Sequence, residues 1–289
     1  MKKGNLILSF LAISLLLFPY GCKNQPVTSA ISADRIKIIF ANQGKGDPAI
    51  IFVHGWANNK SIWDAQVAHF SEKYKAIAVD LAGFGESGNN RTSWTMSAFG
   101  DDVVAIINKL KLKKVVLVGF SMGGPVVLDA AAKVPEKTAG VVLVDTLQDI
   151  EMKYPPEMVQ EIDAFMMDLI TNPTNEKLLN GGFYKKNPEE NFQRVVGMLD
   201  KNPSKIGFKE SLDSFFQWCN EDCIETLKLI KAPVTAINSD SEPTNVEAFR
   251  KYVPSFQAKI ITGVGHVLFW EAPDQFNRLL EEGIQEFIK

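Results

Sequence analysis

The chain has 289 residues, enough for one large domain with a single core or for one domain that carries an insertion. Apolar residues make up 46% of it and charged residues 22%, which is ordinary globular usage and argues against disorder. The formal net charge is -3, and the basic residues form no run beyond Lys111–Lys114. Nucleic acid is therefore not an expected partner.

The N-terminus has the pattern of a secretory signal peptide over residues 1–21. Lys2 and Lys3 precede a mostly apolar stretch from Leu6 to Phe18, and small residues follow. The stretch is shorter than a typical membrane-spanning helix. An uncleaved N-terminal anchor helix is the alternative to a signal peptide.

Gly21-Cys22 resembles the processing site of bacterial lipoproteins, at which the Cys becomes the lipidated first residue. Pro19-Tyr20 departs from the Leu-small pattern that is usual upstream of such a site. The expectation is lipid attachment at Cys22, a polar tether over residues 22–33, and an exported protein. It would be held to a membrane on the periplasmic or cell-surface side.

The other two cysteines, Cys219 and Cys223, are four residues apart, which on a helix places them on one face and close to disulfide range. Two free, half-buried thiols are nevertheless the favoured interpretation. No His or further Cys lies nearby to complete four ligands, so no metal is expected, and no cofactor either.

Short apolar runs of strand length alternate with helical patterns in the first half of the chain. This alternation predicts parallel strands joined by crossover helices. The expected strands are 36–40, 49–53, 76–80, 115–118 and 141–144, with helices over 62–70, 103–110 and 122–132.

From residue 149 to residue 230 there is no β-run, only helical stretches rich in Met and Phe and broken by prolines. The alternation resumes with strands at 234–237 and 258–261 and ends with a helix over 273–288. We therefore expect an α/β core of residues 34–148 and 231–289 with a helical cap inserted over 149–230.

Gly119-Phe120-Ser121-Met122-Gly123 follows a buried strand and precedes a helix. Gly-x-Ser-x-Gly in that setting predicts a tight turn that raises the Ser121 hydroxyl above the sheet edge, with glycines where any Cβ would clash. A helix N-cap serine between two glycines is the alternative.

A serine nucleophile needs a general base, and the chain has three histidines. His69 lies on a predicted amphipathic helix and is expected at the surface. His54 and His266 each follow a strand, so both fit the sheet edge at which ligand chemistry gathers.

Four segments together carry a family resemblance: His54-Gly55-Trp56, residues 80–87, the Ser121 turn, and Gly263-Val264-Gly265-His266. In this order and spacing, residues 36–289 resemble an α/β-hydrolase with a helical cap. The resemblance implies the chain order Ser, acid, His, which makes His266 the base. It also implies an oxyanion hole formed by the backbone N–H groups of Trp56 and Met122.

The acid that would orient the imidazole is open between two carboxylates that follow the strand at 234–237. Asp240 is favoured because it is shorter and closer to the strand end, whereas Glu242 fits the spacing from Pro233 in many relatives. Asp145, at the end of the preceding strand, is the third candidate because some relatives place the acid there.

Gly83-Phe84-Gly85-Glu86-Ser87-Gly88 matches the Gly-x-Gly-x-x-Gly of dinucleotide sites. Such a fingerprint should open a helix at once, but residues 89–93 have loop composition. We therefore expect a loop beside the site, not a nucleotide.

The expected activity is that of a serine hydrolase that cleaves a small or medium apolar ester through an acyl-enzyme on Ser121. A carbon-carbon bond hydrolase or a perhydrolase-type enzyme would use the same residues, and a non-catalytic binding module on this fold is a further alternative. The partner is a small-molecule substrate, and the oligomeric state is open.

Overall fold

The computed structural model describes residues 27–202, 205 and 207–289. The predicted signal peptide, Cys22 and the first residues of the tether lie outside this described part of the chain. Among the described residues, no helix has the length and apolar character needed to cross a bilayer.

Across the described residues, eight strands form one sheet in the order β1-β2-β4-β3-β5-β6-β7-β8. In this described sheet the pairings of β1 with β2 and of β2 with β4 are antiparallel, and the other pairings are parallel. The prediction of a mostly parallel sheet flanked by helices is therefore confirmed. The strands are β1 (Val27–Ile31), β2 (Lys37–Gln43), β3 (Ala49–Val53), β4 (Lys75–Val79), β5 (Val115–Phe120), β6 (Thr138–Val144), β7 (Val234–Ser239) and β8 (Gln257–Ile261).

Helices cover both faces of the sheet, which explains why its central strands are continuous apolar runs. Every residue of β3 and of β5 is buried. On one face the core includes residues of α1 (Asp64–Phe70) and α11 (Pro273–Phe287). On the other it includes residues of α2 (Met96–Lys109) and α3 (Gly123–Lys133).

The predicted tether needs a correction, because its described end is a strand. β1 pairs with β2 in a hairpin whose register runs from Val27↔Ala41 to Ile31↔Lys37. The Asp34 carboxylate in the turn accepts hydrogen bonds from Arg91 Nε at 2.7 Å and Nη2 at 3.2 Å. The tether prediction failed here because this five-residue segment becomes a strand through its backbone pairing with β2, which its short, mixed composition does not indicate.

Between β6 and β7 the described residues contain five helices and no strand. Helix α4 packs against α7, and α5 packs against α6, whereas α8 packs against α3 of the core. The five are α4 (Pro156–Thr171), α5 (Asn175–Asn180), α6 (Pro188–Asp200), α7 (Phe208–Glu221) and α8 (Cys223–Leu229). The remaining short elements are a 3-10 turn (Lys60–Trp63), α9 (Val246–Arg250) and α10 (Leu268–Glu271).

Cys219 and Cys223 are free in the structure, as the favoured interpretation has them, but they are buried rather than half-buried. They do not share a helix, since α7 ends at Glu221 and Cys223 begins α8. Burial raises the pKa of both thiols, that of Cys223 to about 12, so both are expected to be protonated and unreactive.

Candidate active site

Ser121 occupies a strained turn between β5 and α3. Its φ is +51°, in the left-handed region that non-glycine residues seldom adopt. The Ser121 N–H donates to the Val144 carbonyl at 3.0 Å, and the Ser121 carbonyl accepts from the Gly124 N–H at 2.9 Å. These two bonds hold the turn at the carboxyl ends of β5 and β6.

The glycines around Ser121 are required by close backbone contacts, as the sequence predicted. A Cβ at Gly119 would lie 2.2 Å from the Gly123 carbonyl oxygen, and one at Gly123 would lie 2.7 Å from the Val53 carbonyl oxygen. The start of α3 therefore packs directly on the backbone of β3 and β5. A residue larger than glycine at position 119 or 123 would push α3 away from these strands and move Ser121 with it.

His266 is oriented by Asp145. The imidazole Nδ1 and Asp145 Oδ2 are 2.7 Å apart, and because a carboxylate can only accept, Nδ1–H is the donor. The second oxygen, Oδ1, accepts from the Ser239 N–H at 2.6 Å. With its side chain 4% exposed, the carboxylate is fixed between the ends of β6 and β7.

The expectation that Asp240 contacts His266 is corrected by this geometry, and so is the alternative of Glu242. The Asp240 carboxylate accepts from the Gly263 N–H at 3.1 Å, a bond that holds its pKa below the ordinary value, and its side chain is 39% exposed. Glu242 is an exposed residue at the cavity. Asp145 and Asp240 each directly follow a strand, β6 and β7, so position along the chain does not separate them. Burial does, because Asp145 is enclosed against the imidazole, whereas the Asp240 side chain lies at the surface on the Gly263 N–H.

His54 is a structural histidine. Its Nε2 accepts from the Leu81 N–H at 3.1 Å, and its Nδ1 donates to the Gly55 carbonyl at 2.7 Å. Complete burial lowers its pKa, which keeps the ring neutral and suited to one donor and one acceptor bond. His54 thus braces the segment that begins at Gly55.

That segment lies against Ser121. A Cβ at Gly55 would be 3.0 Å from the Ser121 Cβ, and the Trp56 indole N–H donates to the Phe208 carbonyl at 2.7 Å. The backbone of Trp56 is therefore fixed beside the serine by the core on one side and by α7 on the other. Met122, whose side chain is buried, lies at the start of α3. These are the positions that the family resemblance implied for an oxyanion hole.

A cavity of about 430 Å³ contains both Ser121 and His266. Within the described residues no hydrogen bond joins the Ser121 hydroxyl to His266, a contact that in catalytic pairs often tightens only around substrate. Most of the wall is apolar, and most of its apolar side chains come from the cap, including Ile162, Phe165, Met166, Leu169, Phe183, Met198 and Phe215. The described lining contains no Lys or Arg, and its acidic residues are Asp145 and Glu242.

The glycine-rich segment at residues 83–88 is a loop, as expected, and no helix begins between it and Met96. The loop folds around the buried Asp80 carboxylate, which accepts from the Lys60 and Glu86 N–H groups at 2.6 and 3.0 Å. Gly85 has a φ of +54°, and a Cβ there would lie 2.3 Å from the Asp80 side chain. The glycine thus serves this internal contact.

Residues 48–273 match the family described as alpha/beta hydrolase fold. The chain belongs to the α/β-hydrolase family. The match includes Ser121, His266 and Asp145 and the whole of the helical insertion, so the family assignment covers every residue of the candidate site.

Curated and solved relatives span nearly the full fold. A 3-oxoadipate enol-lactonase from Acinetobacter baylyi is 25% identical over 263 residues, which is 89% of this chain and 96% of that protein. A bifunctional esterase/perhydrolase from Acinetobacter calcoaceticus is 28% identical over 220 residues, 72% of this chain and 80% of that one. A thermophilic esterase from Thermogutta terrifontis superposes with a TM-score of 0.74 at 22% identity over 90% of this chain and 98% of the other, which shows the shared fold.

The choice of acid gives a direct prediction. Asp145→Asn should lower kcat by about 10⁴-fold, because the amide can no longer hold the imidazole in the tautomer that accepts the serine proton. Asp240→Asn, the matched control on the next strand end, should stay within a factor of about 2. Steady-state hydrolysis of a p-nitrophenyl ester measures both. The reverse ranking would return the role to Asp240.

Proposed function

We propose that this protein is a serine hydrolase that cleaves esters with a small or medium apolar group through an acyl-enzyme on Ser121. The observation that carries the proposal is the 2.7 Å contact between His266 and the buried Asp145, made in the same cavity as Ser121 on its glycine-bounded turn. A nucleophile, a base and an orienting acid on three strand ends are what acyl transfer requires.

In the first half of the reaction, Ser121 Oγ attacks the ester carbonyl carbon and its proton passes to His266 Nε2. The backbone N–H groups of Trp56 and Met122 would donate to the carbonyl oxygen as it becomes an oxyanion, a contribution of about 3–4 kcal/mol for one such donor. Collapse breaks the carbon–oxygen bond to the alcohol, and the imidazolium returns the proton to that leaving oxygen.

In the second half, water replaces the alcohol. His266 takes a proton from the water as it attacks the acyl carbon, and then gives that proton to Ser121 Oγ as the acid is released. Asp145 stabilises the imidazolium in both halves and remains a carboxylate throughout.

Ser121→Ala should lower the kcat for small aryl or alkyl esters by several orders of magnitude, because no covalent intermediate can form. A fluorophosphonate probe should label the folded wild-type protein and leave the variant unlabelled, as peptide mass spectrometry would show. Retained esterase activity in the variant would contradict the acyl-enzyme. A wild-type protein that resists the probe would favour the binding-module alternative.

We infer from the lining of the cavity that the substrate is uncharged. The Acinetobacter baylyi relative is named for action on an enol-lactone of 3-oxoadipate, and oxoadipate is a dicarboxylate. The described lining here offers no cation to a substrate carboxylate and presents Glu242 instead. An unpaired anion in this apolar site would lose its hydration without compensation.

Two acyl groups of equal chain length test this selectivity. p-Nitrophenyl butyrate should have a kcat/KM about 100-fold above that of mono-p-nitrophenyl succinate, which adds one carboxylate. Glu242→Lys should narrow the ratio by placing a cation at the cavity, and Glu242→Gln is the control for loss of the acid alone. Equal rates for the two esters in the wild type would disprove an uncharged preference.

Perhydrolysis is the second candidate, supported by the bifunctional esterase/perhydrolase among the relatives. Here H₂O₂ would take the place of water, so that the acyl group passes from Ser121 Oγ to a peroxide oxygen and a peracid is released. An assay of peracid during ester turnover in H₂O₂ distinguishes perhydrolysis of the acyl-enzyme from its hydrolysis. Carbon-carbon bond cleavage would be tested with a separate panel of substrates.

We also propose that the protein is exported and lipid-anchored through Cys22, on the sequence pattern alone. Expressed with its own N-terminus in a bacterium, the wild type should sediment with membranes and incorporate a fatty-acid label. Cys22→Ala should lose the label and the sedimentation. A wild type that is unlabelled and found in the soluble fraction would refute the anchor.

A further inference from the structure

Glu271 is a buried carboxylate that the proposed mechanism does not use. It ends α10, five residues after His266, and is 9% exposed. Its hydrogen-bond partners in the described part of the chain are backbone N–H groups rather than a cation. Burial of a carboxylate without an ion pair costs free energy. The backbone N–H groups that Glu271 binds must therefore be the reason for its place here.

The two oxygens of Glu271 bind two different segments. Oε2 accepts from the Gly265 N–H at 2.5 Å, in the His266 loop (residues 262–267). Oε1 accepts from the Lys185 N–H at 2.7 Å and from the Lys186 N–H, both in the cap segment (residues 181–187) between α5 and α6. One side chain thus joins the loop that carries the imidazole to the cap.

The two segments also bind each other directly. The His266 N–H donates to the Gly182 carbonyl at 2.8 Å, and the Val267 N–H donates to the Phe183 carbonyl at 2.9 Å. A Cβ at Gly265 would lie 2.5 Å from the Tyr184 Cα, so the backbones touch without room for a side chain. Three consecutive N–H groups, from Gly265 to Val267, therefore end on Glu271 or on the cap segment.

The cap segment also contacts the imidazole. The Phe183 ring stands edge-on to the His266 ring, with centroids 6.0 Å apart, while Phe120 lies on another side at 4.7 Å. The side chain of His266 remains 28% exposed. Its position opposite Ser121 is thus set by Asp145 at one nitrogen and by the cap segment around the ring and backbone.

We propose that Glu271 is a positioning residue, which fixes the His266 loop to the cap segment and thereby sets the place of the imidazole opposite Ser121. The inference rests on the proposed function for its kinetic consequence. A carboxylate is needed because both of its oxygens accept; a glutamine would present an NH₂ group to one set of N–H donors. A misplacement of about 1 Å at a reacting group can cost about 100-fold in rate.

The test compares Glu271→Gln with Glu281→Gln. Glu281 lies on α11, accepts from the Tyr74 hydroxyl at 3.0 Å, and is outside the cavity lining, so its variant is the matched control. With p-nitrophenyl acetate, Glu271→Gln should lower kcat about 100-fold and leave KM within a factor of about 2. The control should keep both constants.

A second readout does not depend on catalysis. The downfield proton NMR signal of His266 Nδ1–H, hydrogen-bonded to Asp145, should broaden or shift in Glu271→Gln and stay in place in the control. If the wild type shows no esterase activity, the proposed function fails and this signal alone decides the positioning role. An unchanged signal, or an unchanged kcat in folded Glu271→Gln, would overturn the proposal.

Gly265→Ala provides an independent variant if Glu271→Gln does not fold. Its Cβ should force the His266 loop away from the cap segment, with the same loss of kcat and the same change in the His266 signal. Wild-type behaviour of a folded Gly265→Ala would refute the coupling. Failure of both variants to fold would assign the contact to stability rather than to positioning.

Discussion

The backbone contact between the start of α3 and strands β3 and β5 is the constraint on which the site depends. At Gly119 and Gly123 there is no space for a Cβ, because carbonyl oxygens of Gly123 and Val53 lie within 2.2 and 2.7 Å of where it would be. This close packing forces Ser121 into a left-handed conformation at the sheet edge. Ser121 lies in the lining of the cavity as a result, and the surrounding packing offsets the strain of its backbone.

The loops around Ser121 are held by buried carboxylates that bind backbone N–H groups. Asp80 holds the loop at residues 83–88, Asp145 holds the end of β7 as well as His266, and Glu271 holds the His266 loop and the cap segment. Such charge-assisted bonds fix a loop more firmly than neutral ones do. These bonds make the edge of the sheet rigid, so that the position of the His266 imidazole is held to within about 0.5 Å.

The cap contributes the opposite chemistry. Its helices supply mostly apolar side chains to the cavity, and the described lining lacks a basic residue. In the proposed reaction the apolar wall excludes water around the acyl group, while the polar edge of the sheet carries out the proton transfers. The cap segment belongs to both, because it lines the cavity at Phe183 and binds the His266 backbone.

The sequence by itself determined the fold class, the strand-turn-helix around Ser121 and the loop that carries His266. Each of these is a local pattern: an apolar run, a pair of glycines, a short motif after a strand. The partner of His266 was decided only by the tertiary structure. Asp145, Asp240 and Glu242 all follow strand ends in the sequence, and only the packing of β6 beside β7 shows which carboxylate is buried against the imidazole.

The same limit applies to Glu271, to the edge strand β1 and to the two thiols. Glu271 lies two residues before the Pro that starts α11 and carries no local pattern that indicates burial, because two of its three N–H partners are 85 and 86 residues away along the chain. β1 exists through its pairing with β2, and Cys219 and Cys223 are separated by a helix end. Local sequence specifies conformation and the residues available for chemistry, whereas contacts between distant segments decide which of those residues meet.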